Sequence, residues 1–276
     1  MSRIAGRFAE LRRKRRAGFI PFITAGDPDF ETSCAILEKL PAQGADLIEL
    51  GVPFSDPMAD GPAIQASSLR ALEAGMTLPK VLDMVRRFRR ADKSTPIILM
   101  GYYNPVHRYG SARFAKDAAE AGVDGLITVD LPPEEDEVLR VPAAAQGLDV
   151  IRLATPTTDR KRLETVLADA GGFLYYVSIT GVTGTKSYAS ADVRAAVALL
   201  KSRSDLPCAV GFGIRTPEQA ADIASFADAA VVGSAIVSRF AGAKGKIRQE
   251  LVKDVLEYCA ALAKSVHAAK SDSVVD

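Results

Sequence analysis

Cysteine and histidine are both scarce in this 276-residue chain. Cys34, Cys208 and Cys259 are odd in number, far apart and each set in an apolar stretch. That excludes a disulfide framework or a zinc site and reads as three small buried hydrophobes in a reducing compartment. His107 and His267 are too few and too separated for a histidine-rich metal centre, so no metal is expected. No segment reaches the roughly 18 apolar residues needed to cross a bilayer. The stretch Met1 to Arg7 lacks the apolar core and small-residue cleavage site of a signal peptide, so a cytoplasmic chain with no membrane partner is expected. An excess of one charge is also missing. Thirty-five Lys and Arg face 34 Asp and Glu, a net charge of +1, which argues against a nucleic-acid binder. The local exception, Arg12 to Arg16, reads as the basic end of a first helix, where cations complement the helix dipole.

Two nucleotide signatures are absent as well. No G-x-G-x-x-G follows the first strand, which weakens an open dinucleotide-binding sheet. Gly184-Thr185-Lys186-Ser187 has threonine where a phosphate-binding P-loop needs glycine before its lysine. No composition break or long Pro/Gly/Ser linker marks a boundary, so residues 1–276 are expected to form one domain with a frayed end over Ser271 to Asp276.

What is present is an alternation of short apolar runs with longer amphipathic ones. With 48% hydrophobic residues the chain can build a large core. The expected strands are Phe19 to Thr24, Asp46 to Leu50, Ile97 to Gly101, Gly125 to Val129, Val150 to Leu153, Phe173 to Val177, Cys208 to Gly211 and Ala229 to Val232. Several are continuously apolar, as parallel strands covered on both faces must be. Between them, Phe30 to Gln43 and Thr77 to Arg90 carry apolar stripes at helical spacing, and a last helix is expected over Lys246 to Lys264. Pro133 sits where a first helical turn could begin, before Glu134-Glu135-Asp136. Eight strands in this rhythm favour closure into an α/β fold, a (β/α)8 TIM barrel with an additional N-terminal helix and extra short helices.

In such a barrel the chemistry lies at the carboxyl ends of the strands. Leu47-Ile48-Glu49-Leu50-Gly51 places Leu47 and Glu49 on one face and the wholly apolar Ile48 and Leu50 on the other. Glu49 should therefore point into the barrel mouth, where desolvation would raise its pKa and suit it to acid and base work near neutrality. The bland alternative is an internal salt bridge. In the next loop, Gly51 to Pro62, two prolines stiffen the first part, and Asp56 and Asp60 are candidates for a second carboxylate. Asp60 could equally cap the helix starting near Pro62. Asp27, Asp46, Asp124 and Asp130 also lie near strand ends, but their neighbours suggest turns or caps at least as readily.

Glycine junctions cluster after the last three strands, at Gly181-Val182-Thr183-Gly184, Gly211-Phe212-Gly213-Ile214 and Gly233-Ser234. Exposed backbone N–H groups and a short helix beginning at Ser234 would suit a phosphate, and this fold uses its last two loops that way. The run from Gly181 to Ser187 fits a mobile lid or an ordinary surface loop. Phe22, Tyr102, Tyr175 and Phe212 fall near one rim and suggest a flat, largely apolar substrate attached to the phosphoryl group.

The run Leu47 to Gln65, with Pro21 to Pro28, Met100 to Pro105, Asp130-Leu131-Pro132 and the three glycine junctions, resembles the tryptophan synthase alpha subunit family over about residues 1 to 265. The resemblance implies a lyase that splits indole-3-glycerol phosphate into indole and glyceraldehyde 3-phosphate. It implies Glu49, Asp60 and Tyr175 as catalytic residues: Glu49 protonates the indole C3 and exchanges a proton with the glycerol hydroxyl, and Asp60 sits against the indole N–H. By the same resemblance Phe22, Ile64, Tyr102, Ile127, Leu153 and Phe212 line the indole pocket. Gly184, Gly213, Gly233 and Ser234 bind phosphate, and Thr183 in the lid helps position Asp60. The family works as an alpha-beta-beta-alpha complex in which pyridoxal phosphate belongs to the beta subunit, so no cofactor is expected in this chain. Pro53, Asp56, Pro57, Asn104, Pro105 and Pro132 match the region that meets that partner. Ile179-Thr180 stand where some members carry an arginine-containing pair. Other readings are a phosphosugar isomerase or aldolase on the same barrel, which explains the aromatic rim less well, and a barrel kept as a partner's scaffold.

Overall fold

The computed structural model describes residues 2–178, 190–211, 213–242 and 248–269. Its strands are β1 (Gly18–Thr24), β2 (Ile48–Gly51), β3 (Ile97–Gly101), β4 (Gly125–Thr128), β5 (Asp149–Val150), β6 (Arg152–Ala154), β7 (Leu174–Val177), β8 (Cys208–Gly211) and β9 (Ala229–Val232). They form one sheet in the order β5-β4-β3-β2-β1-β9-β8-β7-β6. Every pairing is parallel, and β1 joins both β2 and β9. The two terminal segments of that order, β5 and β6, are separated only by Ile151. They are two halves of the fifth expected strand, the first paired with β4 and the second with β7. One extended run thus closes the ring, and the fold is a parallel barrel wrapped by helices.

Period-two geometry sorts the side chains. Leu47, Ile98, Ile127, Ile151, Phe173, Tyr175, Ala209, Ala229 and Val231 form an inner cluster. Ile48, Leu50, Ile97, Leu99, Val210 and Val232 belong to the larger cluster between strands and helices. Each fully buried aliphatic or aromatic side chain contributes roughly 1.5–3 kcal/mol, so both layers matter to stability. The floor of the barrel is closed by the N-terminal helix Arg3–Arg13, whose Ile4, Phe8 and Leu11 recur at helical spacing and join the inner cluster. The Phe8 ring lies 5.6 Å from that of Phe173. Ser2 caps the helix by accepting from the Ala5 N–H, and Arg12 and Arg13 occupy its last turn, as the dipole favours.

Two carboxylates near strand starts turn out to be structural. Asp46 accepts the Phe19 N–H, two bonds from the Arg16 guanidinium and contact with His267 Nε2 at 2.8 Å. Asp124 accepts the Ile97 N–H and pairs with Arg3 and Arg89. Several boundaries differ from expectation. The second strand begins at Ile48, not Asp46, whose carboxylate is engaged in that cluster. The helix over Phe30–Leu37 ends before a separate 3-10 turn at Pro41–Gln43. The helix after β4 starts at Glu137, leaving Pro133 in a preceding turn, and the last helix runs Arg248–Ala268. Cys34, Cys208 and Cys259 are free and buried. Among the described residues no helix is long and apolar enough to cross a membrane. The frayed end expected at Ser271 to Asp276 lies outside the described residues.

Candidate active site

Glu49 lies on β2, opposite Phe22 of β1 and Ile98 of β3 in the strand register. It shares the inward face with Leu47 and is 1% exposed. Neither carboxylate oxygen has a hydrogen-bond partner. The expected alternative, an internal salt bridge, is therefore not what holds it. An unpaired carboxylate in an apolar interior is costly when charged, and burial pushes Glu49 up from 4.5 to about 8. Such a group holds its proton at neutrality and can give it to a base that enters the barrel.

Asp60 sits in the loop between β2 and the helix Pro62–Glu73. Gly61 is the N-cap of that helix and no side chain caps it, so the capping role is excluded for Asp60. The loop is fixed by backbone and neighbours instead. The Asp60 carbonyl accepts from Gln65 Nε2, and the Ala59 N–H donates to the Tyr102 hydroxyl at 3.0 Å. Burial raises the Asp60 carboxyl from 3.8 to about 6, with a hydrogen bond from Tyr102 pulling the other way. At pH 7 the two carboxylates thus differ: Glu49 is mainly neutral and Asp60 mainly ionised.

Tyr175 on β7 is buried in the inner cluster, across the barrel from β2. Burial, then the charges of Glu49 and Asp60, push its hydroxyl well above its ordinary value, so it keeps its proton. Phe22, opposite Glu49 in the strand register, also lines the cavity beside Asp60, so the two acids border the same part of the barrel mouth. A Cβ on Gly211 of β8 would lie 2.1 Å from the Tyr175 hydroxyl, so any larger residue there must displace that ring. Likewise a Cβ on Gly51 would fall 2.5 Å from Phe22 Cζ.

A narrow cavity beside Asp60 is lined by Phe22, Thr24, Ile64, Met100, Tyr102 and Val129. Ile127 is buried in the inner cluster and Leu153, half-buried, packs on it. Of the larger clefts, one adjoins this cavity at Val129 and is lined by Leu153 and Pro132, and two lie away from it; Glu49 and Asp60 line none of the three. Gly213, with φ of +83°, follows β8, while Gly233 and Ser234 follow β9 and open the short helix Ser234–Val237. Phe22 lies between Gly51 and Gly233, so the ring pocket and the β9 junction are adjacent. Thr183, Gly184 and Phe212 lie outside the described residues.

The residues matched to a partner surface follow neighbouring strands. Pro53, Asp56 and Pro57 lie after β2, Asn104 and Pro105 after β3, and Pro132 after β4. Asp56, Asn104 and Pro132 are exposed, Pro57 and Pro105 half-buried, and Pro53 is buried. Thr24 was not foreseen. Its hydroxyl is buried without a partner and lines the Asp60 cavity. Its place two residues after Phe22, on the same strand face, was the available signal. Asp27 was expected to serve as a turn or cap. It instead accepts two bonds from Arg70 and one from Ser67, anchoring the helix that carries Ile64.

The family model for the tryptophan synthase alpha chain matches residues 8–267. Among solved structures, tryptophan synthase subunit alpha from Legionella pneumophila is 40% identical, covering 96% of this chain and 98% of that one, with a TM-score of 0.87. A Mycobacterium tuberculosis tryptophan synthase structure is 36% identical over 96% of this chain and 98% of that one, TM-score 0.87. A chain from Aquifex aeolicus is 36% identical over 97% and 100%, TM-score 0.87.

Proposed function

The chain belongs to the tryptophan synthase alpha chain family, and from that premise we propose that it cleaves indole-3-glycerol phosphate to indole and glyceraldehyde 3-phosphate, as a cytoplasmic lyase. The observation that carries the proposal is the pair of unlike carboxylates, one buried and unpaired, the other beside an apolar cavity.

Neutral Glu49 donates its proton to C3 of the indole ring, which makes that carbon tetrahedral and leaves positive charge on the ring nitrogen. Ionised Asp60, against the indole N–H, stabilises a charge that exists only on the reaction path, the condition for lowering a barrier rather than merely tightening binding. The bond between C3 and the glycerol chain then breaks. Its electron pair returns to the ring, the side-chain hydroxyl becomes the aldehyde, and the hydroxyl proton passes to the Glu49 carboxylate, which is restored for the next cycle. Tyr175, held protonated, donates a hydrogen bond within this interior. Phe22, Ile64, Tyr102, Ile127, Leu153 and Phe212 form the walls for the ring. Gly184, Gly213, Gly233 and Ser234 grip the phosphoryl group through backbone donors and a hydroxyl. Thr183 steadies Asp60 when the lid closes.

The reaction balances without a metal or cofactor in this chain. The loops carrying Pro53, Asp56, Pro57, Asn104, Pro105 and Pro132 dock a beta subunit in an alpha-beta-beta-alpha complex. That subunit brings pyridoxal phosphate and takes up the indole. The test is direct measurement of indole release from indole-3-glycerol phosphate, with and without a beta subunit. Slow release by the chain alone and faster release in the complex is expected. Absence of indole under both conditions would overturn the assignment.

A further inference from the structure

Two of the three loops assigned above to the phosphate grip, those after β8 and β9, lead into segments that one side chain of the last helix holds from behind. Tyr258, half-buried on Arg248–Ala268, donates its hydroxyl to the Arg215 backbone carbonyl at 2.5 Å. Arg215 lies two residues beyond Gly213 in the loop after β8. The N–H of the same residue donates to Gln219 Oε1 at 2.8 Å. Arg215 is thus pinned at both its amide nitrogen and its carbonyl. The Tyr258 ring faces the segment that follows the other loop. The Arg239 guanidinium lies 3.9 Å from its centroid. Arg239 belongs to the turn Ser238–Gly242, which directly continues the short helix Ser234–Val237. Asp254, one helical turn before Tyr258, holds the same guanidinium at 2.8 Å.

We propose that Tyr258 is a positioning residue for the phosphate grip, its hydroxyl setting the loop after β8 and its ring the loop after β9. This rests on the functional reading above. The physical reason is preorganisation. Backbone N–H donors can be re-aimed only by moving their peptides, and a loop that must be ordered on binding subtracts that ordering from affinity. An anchor behind the loops removes the loss without touching the ligand. A cation over an aromatic face adds orientation that a plain apolar contact would not.

The experiment uses the full chain with its beta subunit and two variants, Tyr258→Phe and Tyr258→Leu. It measures KM and kcat for indole-3-glycerol phosphate, and the dissociation constants of inorganic phosphate and of indole. Tyr258→Phe keeps the ring on Arg239 but frees the Arg215 carbonyl. Losing one hydrogen bond of this kind should raise KM and the phosphate dissociation constant together by about three- to tenfold. The kcat and the affinity for indole should stay within about twofold, the pattern of lost uniform binding. Tyr258→Leu, which also removes the ring, should weaken phosphate further. Unchanged phosphate affinity in both variants, or an equal loss for phosphate and indole, would overturn the proposal. A wild-type chain that releases indole and binds phosphate while the variants match it refutes the role of Tyr258 alone. A wild-type chain that does neither refutes the functional reading beneath it.

Discussion

Replacing Glu49 by glutamine tests the electrostatics of the barrel interior without needing a substrate. In the unfolded chain the carboxyl titrates near 4.5, whereas burial without a partner moves it to about 8 in the folded state. Between those values the folded protein holds a proton that the unfolded chain has released. Stability must therefore fall as pH rises, by about 1.4 kcal/mol per pH unit. The loss begins near pH 4.5 and levels off above about 8. By pH 7 it amounts to roughly 3 kcal/mol, and above pH 8 to roughly 4–5 kcal/mol. Glutamine has nearly the same shape and no titration, so Glu49→Gln escapes this slope. Urea unfolding of both proteins at several pH values, followed by circular dichroism, gives the difference directly, because other titrating groups cancel between them. The variant should gain on wild type steadily from pH 5 to pH 8 while losing indole release by about a hundredfold or more. A stability difference that stays flat across that range would refute the claim that Glu49 is buried, unpaired and held neutral.

Other perturbations probe the frame around it. Gly211→Ala puts a methyl group 2.1 Å from the Tyr175 hydroxyl. Overpacking of this kind should cost about 1–3 kcal/mol in denaturant unfolding and displace Tyr175, lowering kcat. A variant with wild-type stability and turnover would contradict the packing described. Asp46→Ala removes the acceptor shared by Arg16, His267 and the Phe19 N–H, and should cost roughly 3 kcal/mol by the same measurement. Burial pushes the Asp46 carboxyl up, but hydrogen bonds from His267, Arg16 and Phe19 outweigh it and hold it below 3.8. The gap between wild type and Asp46→Ala should therefore persist at neutral pH and shrink as strong acid protonates Asp46. Tyr102→Phe removes a hydrogen bond that lowers the Asp60 carboxyl, so the acid limb of the rate profile should move to higher pH.

Much of this was readable in the sequence because the relevant physics is local. Contiguous apolar runs mark parallel strands wherever both faces are covered, and Glu49 stands out because period-two alternation pairs it with Leu47 while Ile48 and Leu50 face outward. The closure at Ile151 was not readable. Whether Asp149 to Ala154 pairs with one neighbour or switches between two depends on how the whole ring closes, not on those six residues. Asp60 shows the same limit. Its residue type suits an N-cap, and only the folded loop shows Gly61 in that position with Asp60 beside the apolar cavity. The clamps are longer-range still. His267 reaches Asp46 across 221 positions and Arg70 reaches Asp27 across 43, and no local pattern announces either.

The central claim is that two carboxylates in one interior carry opposite protonation states at neutral pH. The pH profile of kcat/KM for indole release tests it most directly, since it reports the acid and base of the free enzyme. Activity should rise as Asp60 ionises near pH 6 and fall as Glu49 loses its proton near pH 8, and the residual activity of Glu49→Gln should lack the fall near pH 8. Activity that keeps climbing from pH 7 to pH 9 would contradict the account, because the proton donor proposed here would by then be gone.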